Sequence, residues 1–150
     1  MQELKQKVLS YYKLQVQDKE DAFRDMIAAL TEDASNDAKG SAGDKHETAL
    51  SMMHLEQEKL NAKLSEIVKQ KSFLEKVDPD AVHNKIAVGS LVKANEMYLF
   101  VSLALPKITI DGKTIIALSP QSPLGVKIRG MEVDDTFDIG TSKYVIEKVV

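Results

Sequence analysis

From residue 47 to residue 74 the apolar and polar positions alternate with four- and three-residue steps. Met53, Gln57, Leu60, Leu64, Ile67, Lys71 and Leu74 fall on one stripe, the seam of a helix that packs against another helix. Upstream, Val16, Lys19, Phe23, Met26, Leu30 and Asp33 repeat the pattern, and Val8 and Tyr12 extend it backwards. Between the stripes, Lys39-Gly40-Ser41-Ala42-Gly43-Asp44 carries two glycines that end one helix and turn the chain. Folding back there pairs Leu30 with Met53, Phe23 with Leu60 and Val16 with Ile67. The first half therefore reads as an antiparallel coiled-coil hairpin. Met26, Met52, Met53 and the leucines read as its packing residues, with a methionine-rich binding face as the alternative. At 1.5 Å per residue its second helix spans about 40 Å.

Beyond Val77-Asp78-Pro79-Asp80 the period changes from that of a helix to that of a strand. Residues 85–93 (KIAVGSLVK) and 97–105 (MYLFVSLAL) are rich in strand formers. Ile108-Thr109-Ile110 and residues 114–118 flank Asp111-Gly112, which predicts a hairpin with a type I′ turn. Residues 136–139 and 144–149 flank Gly140 and predict a second hairpin. Between them, SPQSPLGVKIRG opens with a proline-bearing loop, and residues 124–128 read as a short helix. The fold class is α+β: a coiled-coil arm over residues 1–80, then a small antiparallel sheet domain with one helix over 81–150.

Composition sharpens that division. All four prolines lie from residue 79 onward. Residues 1–81 hold 12 basic and 16 acidic side chains, a net −4, while residues 82–150 hold 8 and 7, a net +1. An overall charge of −3 argues against unaided, non-specific binding to nucleic acid. No cysteine is present, which removes disulfides, thiolate metal sites and cysteine nucleophiles. There is neither a long apolar run for a membrane span nor an apolar N-terminal leader. A cytoplasmic protein without membrane attachment is the expectation.

The sequence lacks a phosphate-cradling glycine loop and a nucleophile elbow. His46 and His54 are eight positions apart, about 12 Å along a helix, too far to share one ion. His54 and Glu58 stand at i,i+4, half a metal site or simply a solvated helix face. The tip, Gly43-Asp44-Lys45-His46-Glu47, has two readings. Asp44 and Glu47 have capping-box spacing, which needs no function beyond starting a helix. They are also two carboxylates at the end of a long arm, able to share a hard cation such as Mg²⁺ within another protein's cavity.

Three features together resemble the Gre-type transcript-cleavage factors of bacterial RNA polymerase. The tip resembles that family's Gly-Asp-x-x-Glu motif. Leu118-Ser119-Pro120-Gln121-Ser122-Pro123-Leu124, with Gly130, is similar to its Ile-Ser-x-x-Ser-Pro-Leu…Gly signature. The order of arm and sheet domain, and the length, also agree. The resemblance implies an FKBP-like C-terminal domain that docks at the polymerase secondary channel, and an arm that enters it. It implies that Asp44 and Glu47 are the catalytic and metal-binding tip acids, holding Mg²⁺ only together with the polymerase and binding none alone. Ser119, Ser122, Pro123 and Leu124 fall on the polymerase-facing loop. The protein would have no complete active site of its own. It would assist the polymerase's nuclease activity in transcription elongation, touching nascent RNA or DNA only inside that complex.

After the tip the family usually continues with Asn-Ala and an acidic-aromatic-His run, where this chain has Thr48-Ala49-Leu50-Ser51-Met52. The arm is also acidic where cleavage factors often carry a basic patch. A relative that occupies the channel and inhibits or competes, without stimulating cleavage, is therefore the alternative. A coiled-coil interaction scaffold is the second; a monomer is expected, with pairing through the seam as the other case. The few aromatics of the second half, Tyr98, Phe100, Phe137 and Tyr144, argue against a prolyl-isomerase pocket.

Overall fold

The structure, a computed structural model, describes residues 1–38 and 44–150, with side chains outside 37–46. Two long helices, α1 (Gln2–Ala38) and α2 (Asp44–Glu75), pack together. Six strands follow: β1 (Leu91–Ala94), β2 (Met97–Val101), β3 (Ile108–Ile110), β4 (Lys113–Leu118), β5 (Thr136–Ile139) and β6 (Ser142–Val149). A short helix, α3 (Pro123–Ile128), lies between β4 and β5. The expected glycine turn falls outside the described residues. Contacts divide the chain into Leu14–Ser72 and a second unit of Met1–Lys13 with Phe73–Val150. Of the residues expected in the arm, 1–80, Met1–Lys13 and the stretch from Phe73 onward lie in the unit that holds the sheet.

In the helical unit the α2 stripe faces inward as its spacing predicts: Ile67 is buried, and Met53, Gln57, Leu60, Leu64 and Lys71 are half-buried. The α1 stripe differs by one position. Val16 and Glu20 are buried, and Phe23, Ile27, Leu30 and Ala34 are half-buried. Met26 is 49% exposed, Met52 is 65% exposed, and Asp33 is also exposed. The two methionines are therefore not packing residues. A charge at Glu20 argues against a seam position until its partners are known. Lys71 Nζ lies 3.2 Å from one carboxylate oxygen, and Arg24 Nη2 lies 3.3 Å from the other. These cations hold the Glu20 carboxyl below its usual range, Lys71 most strongly.

The pairing differs by about one heptad. Gln57 Nε2 donates to Thr31 Oγ1 at 3.0 Å, and Phe23 lines a groove with Ile67. A seam that repeats every seven residues looks alike after a seven-residue slide. Its apolar pattern sets the face but not the heptad. The Glu20–Lys71 contact is satisfied in this register.

The sheet order is β3-β4-β2-β1-β6-β5. Its pairs are antiparallel except β2–β4, which is parallel with Phe100 opposite Ala117. The sheet is thus not the wholly antiparallel one that the sequence predicts, because the β3–β4 hairpin arrives with β4 against β2. Of residues 85–93, only the last three are strand; residues 85–90 bend, with Gly89 at φ +91°. Of residues 97–105, the strand ends at Val101. The Asp111-Gly112 hairpin is as predicted, with φ of 53° and 75° at its centre, the signature of a type I′ turn.

Both faces of the sheet are covered. Val92, Leu99, Val101 and Leu118 form a core with Ile128 of α3, Phe137 and Ile146. On the other face, the Tyr12 ring of α1 stacks on Phe100, with centroids 6.2 Å apart and planes 4° from parallel. Tyr12 Oη donates to the Pro106 carbonyl at 2.7 Å. Leu4, Val8 and Leu9 are buried on the same stretch of helix. Lys7 and Asp111, 2.8 Å apart, join α1 to the β3–β4 turn. No helix among the described residues is long and apolar enough to cross a membrane.

Candidate functional site

The two tip acids are placed one helical turn apart. Asp44 opens α2, and its side chain lies outside the described residues; Glu47 is exposed. Carboxylates at i and i+3 share a helix face. Both offer hard oxygen donors of the class Mg²⁺ accepts, but they leave most of an octahedral shell to other ligands. The capping hydrogen bonds proposed for this pair also lie outside the described side chains.

The second group of predicted residues is closely organised. The Ser119 carbonyl accepts from the Ser122 hydroxyl at 2.6 Å and from its backbone N–H at 3.1 Å. Ser119 Oγ accepts from the Gln121 backbone N–H at 3.1 Å and donates to Gln121 Oε1 at 2.8 Å. Ser122 is the N-cap of α3, in extended conformation, and its Oγ accepts from the Gly125 N–H at 3.1 Å. Pro123 then occupies the first turn, where its missing N–H costs nothing. Gly125 sits so close to this loop that a Cβ would run into the Ser119 carbonyl oxygen.

The family resemblance makes all four loop residues candidate contacts. The structure separates them. Ser122 directs its hydroxyl into the loop, Ser119 is half-buried, and Pro123 is exposed beside half-buried Leu124. Pro123 and Leu124 border a shallow cavity of about 230 Å³ with Lys127 and Ile139. Lys127 Nζ donates to the Asp138 carbonyl at 2.9 Å and so caps part of the β5 edge.

A third location carries no sequence motif. The segment joining α2 to β1 is fastened by α1: Gln2 Nε2 donates to the Pro79 carbonyl at 2.6 Å, and Lys5 Nζ to that of Ala81 at 2.7 Å. Beside it, a cavity of about 300 Å³ is lined by Phe73, Lys76, Val77, Asp78, His83 and Val88, among others. His83 Nδ1 lies 2.7 Å from Ser90 Oγ, which accepts from the Ala87 N–H at 2.9 Å. Burial first, and then the Lys5 charge, pull the His83 imidazole below its ordinary value. Lys5 is itself lowered by burial, partly offset by Asp78. A lone histidine in a loop has no motif, so only the fold brings these groups together.

No protein-family model matches the chain, and no curated protein matches it.

Proposed function

We propose that this protein is a Gre-type factor that binds bacterial RNA polymerase at its secondary channel and assists cleavage of backtracked RNA. One observation carries the reading: an acidic Gly-Asp-x-x-Glu tip and a Ser-Pro-Gln-Ser-Pro-Leu loop occur in one chain at the family's spacing. The packed helix pair followed by a mostly antiparallel sheet supports it. An FKBP-like identity for the sheet unit is part of the same proposal. The exposure of Glu47 and Pro123 supports their assignment to contacts with another molecule. Pre-organisation of the loop by Ser119 and Ser122 reduces the ordering cost of docking.

In this reading Asp44 and Glu47 would hold Mg²⁺ jointly with acids of the polymerase. The metal supplies charge stabilisation to phosphodiester hydrolysis. The chain's own contribution is two carboxylates one helical turn apart at the start of α2. The Pro123–Leu124 surface anchors the factor, which acts in the cytoplasm where the polymerase works.

A stalled, backtracked elongation complex with Mg²⁺ tests the proposal. The wild-type protein shortens the RNA, and Asp44→Asn with Glu47→Gln binds the polymerase but does not. Equal cleavage with both proteins would refute the role of the acids. The run Thr48-Ala49-Leu50-Ser51-Met52 favours a second reading, a channel occupant that does not stimulate cleavage. That reading gives slowed elongation and uncleaved RNA in the same assay.

A further inference from the structure

We infer that the cavity between the end of α2 and residues 81–89 binds a small aromatic carboxylate, held by His83 and Lys76. This goes beyond the polymerase-directed reading and does not depend on it. The volume of about 300 Å³ is at the small end of the range for ligand sites. Phe73, Val77 and Val88 provide apolar surface for a ring. The polar groups then specify what the ring carries.

The first is a hydrogen-bond donor. Ser90 is fully buried, and its Oγ already accepts from Ala87 N–H. Its own proton needs an acceptor, because a buried hydroxyl left unpaired is costly. Among the described residues, His83 Nδ1 is the acceptor within reach, at 2.7 Å. The neutral imidazole consequently carries its proton on Nε2. Nε2 has no hydrogen-bond partner among the described residues, and the ring lines the cavity. A ligand that meets this N–H is best matched by an oxygen acceptor.

The second is charge. Asp78 and Lys76 both line the cavity. Asp78 is already engaged: its Oδ1 accepts from the Asp80 N–H at 2.9 Å, and it interacts electrostatically with buried Lys5. Lys76 has no ion-pair partner among the described residues. The uncompensated charge is positive, so an anionic acceptor is favoured over a neutral one. Gly89 completes the wall: at φ +91° it lets the chain turn, and a Cβ there would meet Val77 Cγ1 at 3.2 Å and the His83 ring at 3.8 Å.

The ¹⁵N-labelled full chain is titrated with benzoate and, separately, benzamide, each to about 20 mM, a range that covers millimolar affinity. Benzoate is expected to shift the amide signals of Val77, Ala81, Val88 and Gly89 saturably. Benzamide, of the same shape but uncharged, should bind at least about fivefold more weakly. Exposed Lys76→Glu should weaken benzoate about tenfold, and Val88→Trp, which fills the rim, should abolish the shifts. Saturating benzoate should also raise the His83 titration midpoint, since an anion favours the imidazolium; the other charges around the ring are Lys5, Lys76 and Asp78. Absence of saturable shifts overturns the site. Equal binding of benzamide, or shifts that survive in Val88→Trp, overturns the carboxylate assignment or the location.

Discussion

The Tyr12 contact predicts a crossing of two stability curves. In wild type the phenol is buried against Phe100, and its proton is donated to the Pro106 carbonyl. Burial is the main reason its pKa is pushed up from 10.0 to about 12, with Tyr11 adding to it. Tyr12→Phe keeps the ring stack and removes only the hydroxyl. Below pH 9 the variant should be less stable by about 1 kcal/mol, the net worth of one neutral hydrogen bond. Pro106 is exposed, so its carbonyl can be hydrated and the loss stays at that level. Ionisation works in the opposite direction. A folded-state value above the unfolded one means that the unfolded chain releases this proton first. The contribution is intact below about pH 10 and is lost as the pH rises towards 12. Linkage puts the wild-type loss at about 1 kcal/mol near pH 10.7 and about 2 kcal/mol at pH 12. Tyr12→Phe lacks this slope, so the curves cross between about pH 10 and pH 11.5. Urea denaturation of both proteins from pH 8 to pH 11.5 measures the difference, in which titrating groups that do not interact with Tyr12 cancel. Parallel curves across that window would refute the burial of Tyr12 against the sheet.

In the helical unit, Thr31→Cys with Gln57→Cys should crosslink faster on mild oxidation than Met26→Cys with Gln57→Cys, because Gln57 reaches Thr31; the chain has no native cysteine to interfere. Gel mobility with and without reductant reads the register directly. Lys71→Met should lower the melting temperature more than the double change Glu20→Leu with Lys71→Leu, because the single change removes the closest partner of a buried carboxylate. Gly125→Ala should destabilise the sheet unit by roughly 1–3 kcal/mol through collision with the Ser119 carbonyl. Ser122→Ala, which removes the α3 cap, should cost about 1 kcal/mol. Pro123→Ala should leave thermal stability nearly unchanged and weaken polymerase binding; unchanged binding would remove that residue from the interface.

Element type was legible in the chain because period and turn chemistry are local properties. The stripe from Met53 to Lys71 required only helix geometry. The Asp111-Gly112 turn required only that both residues tolerate positive φ, as they do. Tertiary structure decided whatever depends on a partner distant in sequence. Glu20 could be assigned to the seam only once Lys71 and Arg24 were beside it. The heptad register was degenerate because a seven-residue slide preserves the apolar stripe. The parallel β2–β4 pair was invisible because alternation records which face a residue takes, not which way its neighbouring strand runs. The same distinction runs through the candidate sites. Ser119, Ser122, Pro123 and Leu124 were found as a string, but only the folded loop turns the Ser122 hydroxyl inward and leaves Pro123 outside. His83 carried no motif. Its ring gains a defined donor because Ser90 is buried beside it, an arrangement set by how residues 81–90 pack between α1 and the sheet.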